Sequence, residues 1–221
     1  MLSRDDVFNE LGIGPVWRLR ETPASPLSAL DSQLSALRYT WDTLAEAVAH
    51  CTACKLSSTR TQGVLGVGDC NADWLIVGEA PGADEDAQGE PFVGQAGRLL
   101  DAMLASVGLK RGDNVYITNV LKSHPPGNRD PESDEVAACR PYLLAQIELI
   151  QPKLILALGR FAAQSLLDTD ETIARLRGRV HQFRNVPLVV TYHPAYLLRT
   201  PSDKARAWED LCLARRTMQG L

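Results

Sequence analysis

Four short apolar runs mark the chain at residues 74–77, 115–120, 154–158 and 188–191. Each has strand length, and the set is rich in Val, Ile and Leu, as strands buried on both faces require. Between the first three runs the period lengthens to that of a helix. Leu99, Leu100, Met103, Leu104 and Val107 share one face, and the pattern stops at Gly108. Asp130, with Pro131 at the first helical position, predicts the start of another helix carrying Val136, Cys139, Leu143 and Ile147 on one face. Residues 161–167 begin a shorter helix. Upstream, Trp41, Leu44, Val48 and Cys51 fall on one helical face, so Cys51 sits at the end of an amphipathic helix. Alternating strands and helices predict an α/β fold with a mainly parallel sheet covered on both faces.

Sheets of this kind hold ligands outside the carboxyl ends of their strands. Those ends carry Gly78-Glu79-Ala80-Pro81-Gly82, then Asn119, Gly159 and His193-Pro194. A carboxylate, an amide and an imidazole at one rim form a polar pocket; in isolation the same residues also serve as loop caps. The compact domain is expected over 41–221, preceded by an extension and linker over 1–40. Within that extension residues 1–20 are amphipathic, and 21–30 (ETPASPLSAL) have linker composition. There is no internal repeat.

Composition narrows the classes without choosing among them. A hydrophobic fraction of 45% and a charged fraction of 23% are those of an ordinary globular protein. No apolar stretch approaches the roughly 20 residues needed to span a bilayer, and the charged start lacks the apolar core of a signal peptide. A cytoplasmic protein is therefore expected. The net charge of −4 argues against a strongly basic nucleic-acid-coating protein. Yet residues 171–221 hold nine Lys/Arg against four Asp/Glu, a local basic excess able to meet phosphates. A solvated face explains that excess equally well. Five cysteines, an odd number, do not suggest a disulfide framework, and Cys51-x-x-Cys54 has metal-ligand spacing.

Three longer motifs carry a resemblance. GEAPGADEDAQGEPFVGQAGRLL (78–100), YITNVLKSHPPGNRDP (116–131) and YHPAYLLR (192–199) resemble the family 4 uracil-DNA glycosylases, in the right order and over the chain from about Cys51 onward. The resemblance implies a three-layer α/β/α fold and hydrolysis of the N-glycosidic bond of deoxyuridine in DNA, the opening step of base excision repair. A non-catalytic member of the fold that binds DNA or a replication partner is the alternative. A stacked uracil is out of reach in a duplex, so the nucleotide must be extruded into a pocket. Gly78 and Phe92 are then expected at the base, Phe92 as its stacking platform. Asn119 suits the uracil edge, its carbonyl accepting from N3–H and its NH₂ donating to O4, whereas cytosine reverses both partners. His193 is similar to the motif histidine that hydrogen-bonds uracil O2 as charge develops there.

Glu79 and Glu85 are the acidic candidates for holding water or balancing charge on the sugar. In relatives outside the family an aspartate occupies the place of Ala80, and a tyrosine that of Gly82; Glu85 is a candidate to fill the latter space. The stretch 79–90 holds five acids, a poor phosphate surface, so phosphate contact is expected from Lys122, Arg129 and Arg199. Leu197 is expected to be the wedge that fills the gap left by the flipped base.

The resemblance also implies a 4Fe–4S cluster held by four cysteines. Cys51, Cys54 and Cys139 match three, and the remaining position is Ser123. An oxygen ligand from Ser123, a substitute in His124, or loss of the cluster all fit this pattern. Residues 6–20, DVFNELGIGPVWRLR, resemble the N-terminal peptide of the psi subunit of bacterial DNA polymerase III, which implies docking on the clamp loader. The apolar residues of 1–20 could equally pack on their own domain.

Overall fold

The computed structural model describes residues 39–221; the amphipathic stretch 1–20 and the linker 21–30 lie outside them. The chain divides after Leu37, and every element below belongs to the second unit, Arg38–Leu221.

Six strands form one sheet in the order β1-β3-β2-β4-β6-β5. The four inner strands, β2 (Trp74–Gly78), β3 (Val115–Asn119), β4 (Leu154–Leu158) and β6 (Val186–Thr191), run parallel and correspond to the four apolar runs. Short antiparallel strands β1 (Val67–Gly68) and β5 (Val180–Phe183) close the two edges. Neither edge strand carries a long apolar run, and both were missed in the sequence pattern.

Side chains alternate across the sheet as the strand period demands. Leu75, Val77, Ile155, Ala157, Leu188 and Val190 pack on one face beneath α4 (Ser133–Ile150) and α5 (Arg160–Leu167). Ile76, Ile117, Leu154, Leu156 and Val189 pack on the other beneath α3 (Gln95–Ser106) and α8 (Lys204–Gln219). The result is the three-layer α/β/α fold. α1 (Trp41–Ala49) opens on a capping box between Thr40 and Thr43, and its Trp41 ring lies 5.3 Å from that of Tyr116.

One helix start moves. α4 begins at Ser133 with Glu132 as its N-cap, not at Asp130. The reason is a stronger capping partner: the buried Glu135 carboxylate accepts from the Glu132 amide at 2.9 Å and from Arg129. Asp130 instead pairs with Arg160 at 3.1 Å. Four helices were not anticipated: α2 (Ala83–Gln88) inside the acidic stretch, α6 (Ile173–Leu176), α7 (Pro194–Arg199), which follows β6, and α8. Among the described residues no helix is long and apolar enough to cross a membrane.

Candidate active site

Strand order reverses between β2 and β4, and the carboxyl ends around that point hold the site. β2 ends on Gly78, in register with Asn119 at the end of β3. The absence of a side chain at Gly78 is obligatory. A Cβ there would stand 2.3 Å from Asn119 Oδ1 and 2.5 Å from Phe92 Cζ. Phe92 in turn lies against His193, ring centroids 5.5 Å apart. Gly78, Phe92, Asn119 and His193, separated by up to 115 positions, are thus brought together as expected.

Phe92 adopts a left-handed backbone, φ 58°, unusual for a bulky residue. Its neighbours hold it there. Arg111 donates to the carbonyls of Pro91 and Phe92, each at 2.9 Å, while its Nε meets Asp101 at 2.9 Å. Glu85 Oε1 accepts from the amides of Val93 (3.0 Å) and Gly94 (3.3 Å), and Oε2 from Gly82 (3.0 Å). Gly97 lets the Phe92 carbonyl approach the helix; a Cβ there would overlap it. Arg111 was missed by sequence reasoning, because a lone arginine before Gly112 gives no signal of what its guanidinium clamps.

The two acidic candidates separate. Both oxygens of Glu85 are engaged by main-chain amides, and a Cβ on Gly82 would come within 2.6 Å of Oε2, so Glu85 does fill that space. Glu79 lies in a poorer environment. Burial, then the nearby Asp130 charge, push its pKa up to about 7, and Arg160 opposes the rise only in part. Of the other acids in the stretch, Asp86 is buried and accepts from the amides of Thr61 and Gln62, while Asp84 and Glu90 are exposed.

His193 caps α7, its Nδ1 accepting from the Ala195 amide at 3.2 Å. That bond assigns the proton to Nε2, leaving Nε2–H as a donor. Burial, with Arg199 adding to it, lowers the imidazole pKa to about 4, so the ring is neutral at pH 7. Asn119 is 2% exposed, and its Oδ1 is buried with no hydrogen-bond partner among the described residues. An unpaired buried acceptor costs about 1–3 kcal/mol, and Asn119 Oδ1 is therefore an acceptor available to a bound group.

Two expected DNA contacts need correction. Lys122 is 1% exposed and cannot meet a phosphate: its Nζ points inward to Thr118, Gln146 and the Asn119 carbonyl. Leu197 is also 1% exposed, its side chain packed into the core from α7, so it is no wedge; the next residue, Leu198, is 40% exposed. Arg129 reaches the surface and is paired there with Glu135 and Glu132. Arg199, by contrast, is exposed at the end of α7.

Cys51, Cys54 and Cys139 neighbour one another, close enough that the first two add to the burial that pushes the Cys139 thiol up to about 11. At the fourth corner Ser123 Oγ accepts from Arg60 Nη1 at 2.8 Å. The same guanidinium donates through Nη2 to the carbonyls of Val48, Ala49 and Cys51 at 2.9–3.1 Å. His124 is turned to Asn128, 2.9 Å away. Among the described residues no group of three or more Cys, His, Asp or Glu is arranged as a metal-ligand set. A hydroxyl bonded to a guanidinium does not fit an all-cysteine site.

One rim thus carries a phenyl ring, a buried amide oxygen without a partner and a neutral imidazole donor. The uracil DNA glycosylase superfamily profile matches residues 65–212. A type-4 uracil-DNA glycosylase of Archaeoglobus fulgidus is 49% identical over 72% of this chain and 84% of its own length. Those of Pyrobaculum aerophilum (43%, 77% of this chain, 90% of its own) and Thermotoga maritima (44%, 74% and 85%) are similar. The chain belongs to the type-4 uracil-DNA glycosylases.

Proposed function

We propose that this protein hydrolyses the N-glycosidic bond of deoxyuridine in DNA to leave an abasic site, as a monofunctional glycosylase opening base excision repair. The observation that carries the reading is the unpartnered Oδ1 of Asn119 beside Phe92 and Gly78. A flipped uracil stacked on Phe92 presents N3–H to that oxygen and O4 to the amide NH₂. His193 Nε2–H donates to O2. Because the ring is neutral, it stabilises the departing uracil anion by a hydrogen bond and transfers no proton.

Glu79 is the acid proposed for the sugar side. As a carboxylate it balances positive charge at C1′ and orients the water. The water oxygen bonds to C1′ as the C1′–N1 pair leaves with uracil, and Glu79 takes the water proton. Glu85 acts at one remove, holding the Phe92 loop. Arg199 and the basic C-terminal region are assigned to phosphates, and Leu198 to the gap in the duplex.

No step runs through iron. If a cluster is loaded, Cys51, Cys54 and Cys139 are its holders, and iron analysis of anaerobically purified protein tests that. Residues 1–20 are proposed to tether the enzyme to the clamp loader, supported by Phe8, Leu11, Ile13, Val16 and Trp17 ahead of a Pro/Ser linker. Deleting residues 1–25 should abolish clamp-loader capture and spare excision on oligonucleotides; capture that survives the deletion removes the tether. The cytoplasm, where such DNA lies, is the proposed location. Cleavage of a uracil-containing oligonucleotide at the uracil after alkali is the expected result for the full chain. An uncut strand that is nevertheless bound would favour the non-catalytic alternative.

A further inference from the structure

We propose that Lys122 is a positioning residue for base recognition: its buried ammonium fixes the backbone of Asn119 and, through it, the amide that reads the base. The proposal rests on the uracil reading above. Nζ donates to the Asn119 carbonyl, Thr118 Oγ1 and Gln146 Oε1, each at 2.6 Å. Burial lowers the Lys122 pKa to about 7, and the three acceptors match the three N–H bonds of its protonated form. They are a carbonyl, a hydroxyl and an amide, with no carboxylate among them.

Burying a cation among neutral partners is expensive, and a methionine of similar length would fill the same volume without that cost. The cost is explained by what the ammonium holds. β1 pairs only with Tyr116 and Ile117, so on that side of β3 the sheet offers no ladder partner by Asn119. Lys122 supplies the missing donor. Its other two contacts anchor it: Thr118 Oγ1 reaches the Leu65 carbonyl at 2.8 Å, and Gln146 Nε2 donates to Leu65 O at 2.8 Å and to the Tyr116 hydroxyl at 3.3 Å. The end of β3 is thereby tied to α4 and to the segment before β1.

The tolerance at Asn119 is small. Its Oδ1 lies only 2.3 Å from where a Gly78 Cβ would stand, so the amide occupies space that nothing else can share. Displacements of about 1 Å from productive geometry cost on the order of 10²-fold in rate.

The experiment is a double-mutant cycle on the full chain, with Lys122→Met, Asn119→Ala and the pair, measuring kcat/KM on a uracil oligonucleotide and inhibition by free uracil. Lys122→Met should lower kcat/KM about 10- to 100-fold and weaken uracil inhibition in the wild-type background, and change either by less than about threefold when Asn119 is already Ala. Tyr116→Phe, which removes the hydroxyl that Gln146 Nε2 reaches and no bond of Lys122 Nζ, serves as the comparison for general loosening; for its loss of Tm it should cost far less activity. Full additivity of Lys122→Met with Asn119→Ala overturns the proposal. Should Lys122→Met fold too poorly to assay, Lys122→Gln carries the same cycle. A crystal structure of the wild type with uracil bound supplies a check independent of either variant, and a Lys122 Nζ lying away from the Asn119 carbonyl there also overturns it. A wild-type chain that leaves uracil in DNA would instead sink the function on which the proposal rests.

Discussion

The base pocket and the cysteine corner meet opposite fates although both stem from family motifs. In the pocket a buried acceptor is left open: Asn119 Oδ1 has no partner, and the groups around it are held from behind so that their working edges stay free. In the corner the reverse holds. Arg60 closes Ser123 Oγ and three main-chain carbonyls with one guanidinium, and the Lys122 amide lies 3.5 Å from the Cys139 sulfur. An open polar atom is available to a ligand, whereas a bonded set is held together by its own partners. A departure from the family pattern at Ser123 is thus compatible with an intact pocket, because the corner is bonded internally.

The sharpest way to break this contrast is to empty the pocket. His193→Ala removes the donor to O2, whose partner charge exists only in the transition state, and should lower kcat by about 10²–10³ with little change in KM. Asn119→Ala removes ground-state bonds as well and should lower kcat/KM by about 10- to 100-fold. Single-turnover rates and oligonucleotide affinity measured together check both. Wild-type cleavage by either variant would dissolve the pocket assignment.

The pocket was largely legible in the sequence for a physical reason. Gly78, Asn119 and His193 sit where strand runs end, and strand ends in a parallel sheet converge. Phe92 needed the motif, since nothing in its local pattern distinguishes a platform from a core plug. What escaped was the support. Arg111 and Arg60 act through guanidinium bonds to main-chain carbonyls 9–20 residues away, which leave no periodicity. Lys122 and Leu197 were misplaced toward DNA for a related reason. Charge suggested exposure for the first, and offset from His193 suggested it for the second, whereas the turn after β3 and the packing of α7 bury both.

A pH profile sharpens the roles of the two glutamates. The Glu79 pKa is raised to about 7, and its working form is the carboxylate, so kcat should rise with pH through about 7 and fall about tenfold per unit well below it. His193 does not contribute there, since it stays neutral down to about 4, and loss of the Lys122 proton, whose pKa burial lowers to about 7, acts in the opposite direction, lowering the rate as pH rises. Glu79→Gln should remove the inflection and most of the rate. Glu85→Gln should keep the inflection while lowering the rate at all pH values, because it loosens the three main-chain bonds behind Phe92. An inflection lost in Glu85→Gln but kept in Glu79→Gln would exchange the assignments.

Arg111→Ala tests the same loop from its other side. It releases the carbonyls of Pro91 and Phe92 and lets a strained backbone relax, a change of order 1–3 kcal/mol in that segment. KM and kcat should both worsen, by about tenfold together, with a small loss of Tm. A variant equal to wild type in excision would show that Phe92 is held without the clamp.

The smallest effect expected is at the corner, and its smallness is the point. Ser123→Ala leaves Arg60 with its three carbonyls and loses one hydrogen bond to a buried hydroxyl, about 1 kcal/mol of stability. Arg60→Ala, which leaves all three carbonyls and the hydroxyl to find other partners, should cost about 1–3 kcal/mol or more. Neither residue touches the pocket groups, so excision by the folded fraction should be unchanged in both. If thiolates and iron carry the corner instead, the order inverts: Ser123→Cys should then raise bound iron and Tm together in anaerobic preparations, and a chelator should lower the Tm of the wild type. Thermal melts of the variants with and without chelator, read beside iron content, distinguish a join made by Arg60 from one made by metal. A chelator-sensitive wild type would place the corner alongside the pocket as a ligand site and end the contrast between them.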